Sequence, residues 1–183
     1  LVGSEMCIRD RFKGAIRRWP GIFDERENIE LSPEALVVCA SSFQKYKFFD
    51  SDLKVIDAAF DHLINPDMKG KKGQYFTPRH VIDMCVEMLN PKQNEKVIDP
   101  ACGSGGFLIH AMKHVVNDEF KRRWGSEYLY QKKEYAEHHL FGIDFDPRLV
   151  KVAKAMMLII GDGHSNIFRV NSLDEREWKG KEV

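Results

Sequence analysis

The sequence predicts an α/β fold in which a parallel sheet carries helices on both faces. Three observations predict it. The run from Val97 to Leu108, VIDPACGSGGFL, takes a short β-branched strand through a glycine-rich turn into an apolar helix start, the order found where open α/β sheets hold ligands. The run from Leu140 to Asp144, LFGID, is a continuous apolar strand that also ends in an acid, as a strand buried on both faces should. Between and after these strands, apolar residues recur at helical spacing, and Ile167 to Val170 supplies a third strand.

Taken from the amino end, Leu1 to Arg11 (LVGSEMCIRDR) reads as the translation of a sequencing adapter, and residues 1–11 are set apart from the fold on that expectation. Ser32-Pro33-Glu34 opens a helix through Phe43, with serine as cap and proline at the first helical position. Asp52 to Ile64 has helical spacing in Leu53, Ile56, Ala59, Phe60 and Leu63. Lys69 to Gly73 is a basic hinge, either a solvated loop or the root of a lid. Thr77-Pro78 opens a helix through Leu89 whose Val81, Ile82, Cys85, Val86 and Leu89 face inward. After the glycine turn a helix runs to Val116. A charged insertion from Asn117 to His138 follows, read as an amphipathic surface helix whose Phe120, Trp124 and Tyr128 cover the fold rather than a base-stacking platform. The last long helix, Pro147 to Ile160, packs through Leu149, Val152, Ala153, Met156 and Met157.

The turn itself narrows the ligand. Gly103, Gly105 and Gly106 permit positive φ and close approach of a ligand to the main chain. Phe107 and Leu108 follow, where a triphosphate site needs a Lys-Ser/Thr pair, so that class is excluded. Asp99 ends the first strand. Asp144 ends the second and has lone pairs enough for both hydroxyls of a ribose. The expected ligand is a nucleoside without a phosphate cluster.

Gly73-Gln74-Tyr75-Phe76-Thr77-Pro78-Arg79, followed by DPACGSGGFL, resembles the amino-DNA methyltransferases, specifically the modification subunit of type I restriction–modification systems and related N6-adenine methylases. The resemblance runs from about Ala58 to Asp174 and implies a Rossmann-like fold that binds S-adenosylmethionine. It implies that Gln74, Tyr75, Phe76, Thr77, Pro78 and Arg79 close over the methionine end of that cofactor. Asp99, Gly103, Ser104, Gly105 and Gly106 would cradle it, and Asp144 would hold its ribose. Residues 12–66 would then be a helical amino-terminal region and 67–183 the cofactor-binding part of the methyltransferase domain. Double-stranded DNA is the implied substrate, with specificity and restriction subunits as partners.

Two departures qualify the resemblance. Where many relatives end the third strand in an acid that binds the adenine amine, this chain has Asn171, whose carbonyl would accept the same bond; Asp174 is the weaker alternative. No two prolines are adjacent anywhere in the chain, so the Asn/Asp/Ser-Pro-Pro-aromatic motif that holds the target base is absent. The expectation is a truncated domain that carries the cofactor site and no methyl-transfer centre. A non-catalytic S-adenosylmethionine-binding scaffold is the alternative, and methylation of RNA or protein fits the GQYFTPR segment less well.

Composition adds limits. Lys plus Arg and Asp plus Glu both number 28, so net charge gives no argument for nucleic acid, and no stretch approaches the roughly twenty apolar residues of a membrane span. A soluble, cytoplasmic protein is expected. Cys39, Cys85 and Cys102 lack metal-site spacing, and Cys102 reads as a small residue lining the turn rather than a nucleophile. His138 and His139, placed on a strand, would point to opposite faces, so no metal site is expected.

Overall fold

The computed structural model describes residues 5–45, 77–161 and 164–178. Gln74, Tyr75 and Phe76, the helix expected over 52–64 and the basic hinge at 69–73 lie outside the described residues. The chain divides into two compact units, Leu1–Asp50 and Ser51–Val183.

In the first unit, α1 (Glu5–Arg18) and α2 (Pro33–Phe43) are joined by a loop. Residues 5–11 form the first turns of α1, continuous with the rest of that helix. Arg9 pairs with Glu5 at 2.7 Å and donates to the Leu31 carbonyl at 3.0 Å, tying the helix to the loop. Ser32 caps α2 by accepting the Ala35 N–H at 3.3 Å, with Pro33 in the first turn, as the sequence predicts. Ile16, Ile22 and Leu36 are buried.

The second unit holds a three-stranded sheet in the order β1 (Val97–Asp99), β2 (Leu140–Asp144), β3 (Ile167–Arg169), all parallel. Ile98 stands opposite Phe141, and Ile143 opposite Phe168. Leu140, Phe141, Gly142 and Ile143 are all buried. Successive strand residues face opposite sides, so both faces of the central strand are covered. Gly142 is there because a side chain would not fit: an added Cβ would stand 2.8 Å from both Ile167 Cδ1 and Leu108 Cδ1.

Helix α3 (Arg79–Leu89) precedes β1 and buries Ile82 and Val86. It ends at Asn90, whose φ of 50° makes it a left-handed cap. Leu89, expected to face inward, is 79% exposed. The reason is that β1 pairs only with β2 among the described residues, which leaves its other edge open beside a groove of about 720 Å³ lined by Val86, Leu89, Val97, Ile98 and Phe107.

Helix α4 (Gly106–Val115) leaves the glycine turn and passes through a π-helical turn, Val116–Phe120, into α5 (Lys121–Trp124). Gly125, with φ 52°, breaks the path, and α6 (Tyr128–His139) returns to β2. The insertion is helical as expected, and the three aromatic residues named for it do cover the fold: Phe120 is buried in the core, with Trp124 and Tyr128 packed against it. Phe120, Tyr135 and Ala136 lie in the core, where Phe120 meets Trp124 and Tyr135 edge-on at 5.4 and 5.9 Å. His138 and His139 end α6 rather than begin a strand, and His139 stacks on Tyr135 one turn back at 5.2 Å. Helix α7 (Pro147–Ile160) is capped by Asp146, which accepts the Arg148 N–H at 2.8 Å, and buries Leu149, Ala153, Met156 and Met157. A short α8 (Glu175–Trp178) follows β3. No helix among the described residues is long and apolar enough to cross a membrane.

Candidate functional site

Parallel pairing brings the carboxyl ends of β1 and β2 side by side, with Asp99 in register with Gly142 and Asp144 two residues beyond. The glycine turn folds over these ends through a short set of backbone bonds. Asp99 Oδ1 accepts the Ala101 N–H at 3.1 Å, and the Cys102 N–H reaches the Ile143 carbonyl at 2.8 Å. Gly103 donates its N–H to Asp144 Oδ2 at 2.9 Å, and Gly105 closes the turn on the Cys102 carbonyl at 2.7 Å. Asp144 Oδ1 accepts the Asp146 N–H at 2.8 Å. The acid on the second strand thus supports the turn that follows the first.

The glycines serve two purposes. Gly103 and Gly105 have φ of 54° and 89°, which a side chain would resist. Gly106 is not in that region. Its place is set by approach: an added Cβ would stand 2.6 Å from Arg79 Nη1 and 3.1 Å from Ile82 Cδ1. Arg79, the first residue of α3, therefore brings its guanidinium to the start of α4. Ser104 is buried within the turn.

The electrostatics follow from the acids. Burial raises Asp99 above the ordinary carboxylate range and the charge of Asp144 adds to this, against the lowering effect of the Ala101 N–H. Burial, with Asp99 and Asp144 nearby, pushes the Cys102 thiol far up. Cys102 is 5% exposed and is a packed, unactivated residue.

At the third strand the Val170 N–H meets the Asp144 carbonyl at 3.2 Å, so Asn171 follows directly beside the second-strand acid. Its Oδ1 accepts the Leu173 N–H at 3.1 Å in a tight local turn, and its own N–H donates to Glu177 Oε2 at 2.8 Å. Asp174 is taken up by Arg176, whose hydrogen bonds of 2.9 and 2.6 Å hold the acid below its usual range. Phe145, 70% exposed directly after Asp144, was not singled out from the sequence. An aromatic residue that follows a strand-ending acid and has no core position was the available sign. On α6, Glu134, Glu137 and His138 bring ligand atoms within 4.8 Å of one another, but exposed ion pairing one turn apart, such as Lys133 to Glu137 at 3.4 Å, accounts for the cluster.

The sequence profile described as N-6 DNA Methylase matches residues 55–183. The chain is 33% identical over 101 residues to the type II restriction enzyme and methyltransferase RM.BcgI of Heyndrickxia coagulans, covering 55% of this chain and 15% of that protein. It is 30% identical over 111 residues to the type I restriction enzyme MjaVII methylase subunit of Methanocaldococcus jannaschii, covering 59% of this chain and 18% of the other. This chain thus spans less than a fifth of the length of either relative. Among solved structures, the modification subunit assigned to a type I restriction enzyme from Vibrio vulnificus superposes with a TM-score of 0.50 at 23% identity, over 79% of this chain and 26% of that one. That likeness concerns the fold alone.

Proposed function

The chain belongs to the N-6 DNA methylase family, and from that premise we propose that its second unit binds S-adenosylmethionine as the cofactor half of an adenine-N6-specific DNA methyltransferase in a restriction–modification system. The observation that carries the reading is the acid pair, Asp99 and Asp144, on either side of the glycine turn. Two carboxylates at that mouth repel a polyphosphate and attract a cation. S-adenosylmethionine is a nucleoside with an ammonium and a sulfonium and no phosphate.

The residues present fit that group. Asp144 uses one lone pair of each oxygen on a backbone N–H, which leaves one on each for the ribose hydroxyls. The exposed Phe145 ring offers a stacking surface for adenine. Asn171 Oδ1 keeps a second lone pair for the adenine amine. Arg79, which opens α3 and lies against Gly106 at the start of α4, would pair with the methionine carboxylate, and Gln74, Tyr75 and Phe76 would close over it. When bound, the cofactor supplies an electrophilic methyl group; this chain's residues bind and orient it. Helices on both sheet faces within a Rossmann-like methyltransferase domain, double-stranded DNA as substrate, partner specificity and restriction subunits, and a cytoplasmic location complete the proposal.

The alternative reading is a non-catalytic S-adenosylmethionine-binding scaffold. Transfer of labelled methyl to adenine in duplex DNA separates the two. Both stand on the cofactor, which thermal melting tests. S-adenosylmethionine at a hundred times its dissociation constant should stabilise the protein by about 2.7 kcal/mol, while ATP and NAD should leave it unchanged. A shift with ATP alone would overturn the reading.

A further inference from the structure

The proposed cofactor site is assembled from two routes, the glycine turn carried by β1 and α4 and residues 77–79 carried by α3. We infer that Asp83 and His110 are positioning residues that latch α3 onto α4 and so hold Arg79 over the glycine turn; the inference rests on the cofactor reading above. Neither residue would touch the cofactor.

The two helices meet as a seam with repeating rungs. Arg79 lies against Gly106, and four residues further along each helix Asp83 Oδ1 meets His110 Nδ1 at 2.6 Å. A step of four keeps a residue on the same helix face. Beyond them His114 Nε2 meets Asn90 Oδ1 at 2.9 Å, just past the end of α3. Lys113 adds a 3.5 Å ion pair to Asp83. The first rung holds the site, and the second fixes where the first can stand.

Packing alone does not explain the pair. His110 is 7% exposed and sits among the buried Leu108, Ile109, Ala111 and Met112 of the same helix. An apolar residue of similar volume would fill that position without the cost of burying a polar ring. The apolar contacts of Ile82 and Val86 are non-directional and tolerate sliding of one helix along the other. A slip of one turn, about 5.4 Å, would carry Arg79 off the turn. A short, directional bond forbids it. Burial would by itself raise Asp83, but the hydrogen bond and charge of His110, with Lys113, hold it below the ordinary carboxylate range.

The test compares His110→Leu, which keeps volume and removes the bond, with His110→Gln, which keeps a donor for Asp83. Calorimetric titration of the full chain with S-adenosylmethionine is run beside thermal melting. The expected result is that H110L melts close to wild type yet binds about three- to tenfold more weakly, the scale of one hydrogen bond, while H110Q restores most of the affinity. Wild-type affinity in H110L overturns the inference. So does equal loss in both variants together with a lower melting temperature, since that is a purely structural role. If wild type itself gives no binding signal, the cofactor reading fails, and amide exchange decides the latch separately. The Val81 and Ile82 N–H groups bond the Pro78 carbonyl at 2.9 and 3.2 Å. Faster exchange there in H110L supports the latch, and unchanged exchange overturns it.

Discussion

Asp144 Oδ2 accepts the Gly103 N–H at 2.9 Å across a sequence separation of 41 residues, and the other oxygen of the same carboxylate accepts the Asp146 N–H. One side chain therefore shapes the loops that follow both β1 and β2, in addition to its proposed contact with ribose. Asp144→Ala removes both acceptors and leaves two loop N–H groups unpaired. The expected loss of stability is about 2–3 kcal/mol, the range for hydrogen bonds to a charged group. Asp144→Asn keeps one carbonyl acceptor and should lose less. Urea unfolding of the two variants measures the difference.

Gly105 and Gly106 are neighbours with opposite expectations. Gly105, at φ 89°, resists any side chain, and Gly105→Ala should cost about 1–2 kcal/mol. Gly106 opens α4, and the atom nearest an added Cβ is the movable end of Arg79. Gly106→Ala should therefore leave stability unchanged or raise it by up to about 1 kcal/mol, while displacing Arg79 and weakening ligand binding. Paired melting and binding measurements on the two variants read this contrast.

The acids predict pH responses of opposite sign. Asp99 is raised, so the folded chain holds its proton more tightly than the unfolded chain. Its contribution is present below the ordinary value of 3.8 and is lost as pH rises through the higher folded value. Asp99→Asn should then raise the melting temperature at pH 7 while weakening cofactor binding. Asp83 is lowered, so its contribution is present above 3.8 and disappears as pH falls through the lower folded value. Asp83→Asn should flatten the acid limb of stability. Melting curves between pH 2 and pH 8 distinguish the two.

Cys102 is buried with its thiol pushed up, whereas Cys39 is exposed. Brief treatment of the folded protein with iodoacetamide should label Cys39 and spare Cys102, as mass spectrometry of the digest would show. Rapid labelling of Cys102 would contradict a packed, unactivated thiol.

The parts of the fold that were legible in the sequence are those governed by local rules. Ser32-Pro33 and Asp146-Pro147 mark helix starts through their own caps, and the unbroken apolar run of β2 announces a strand covered on both faces. Phe120, Trp124 and Tyr128 were legible as the insertion's cover, whereas Tyr135 and Ala136 were not, because they and Phe120 stand on either side of the break at Gly125. No single helical period spans them. His138 and His139 were read into the strand because the apolar run begins immediately after them, although they close α6. The turn and its acids were visible as residue types, but the bond from Gly103 to Asp144 is long-range. The rungs between α3 and α4 join residues 24 to 27 apart and left no mark in the sequence.

The central claim is that the acid pair around the glycine turn takes a cationic nucleoside. Isothermal titration of the wild-type chain and Asp144→Asn with S-adenosylmethionine tests it most directly. The account predicts one site in the wild type and binding weakened at least tenfold in the variant, about 1.4 kcal/mol or more. A folded wild-type protein that gives no heat with S-adenosylmethionine, or a variant that binds it equally well, would contradict the claim.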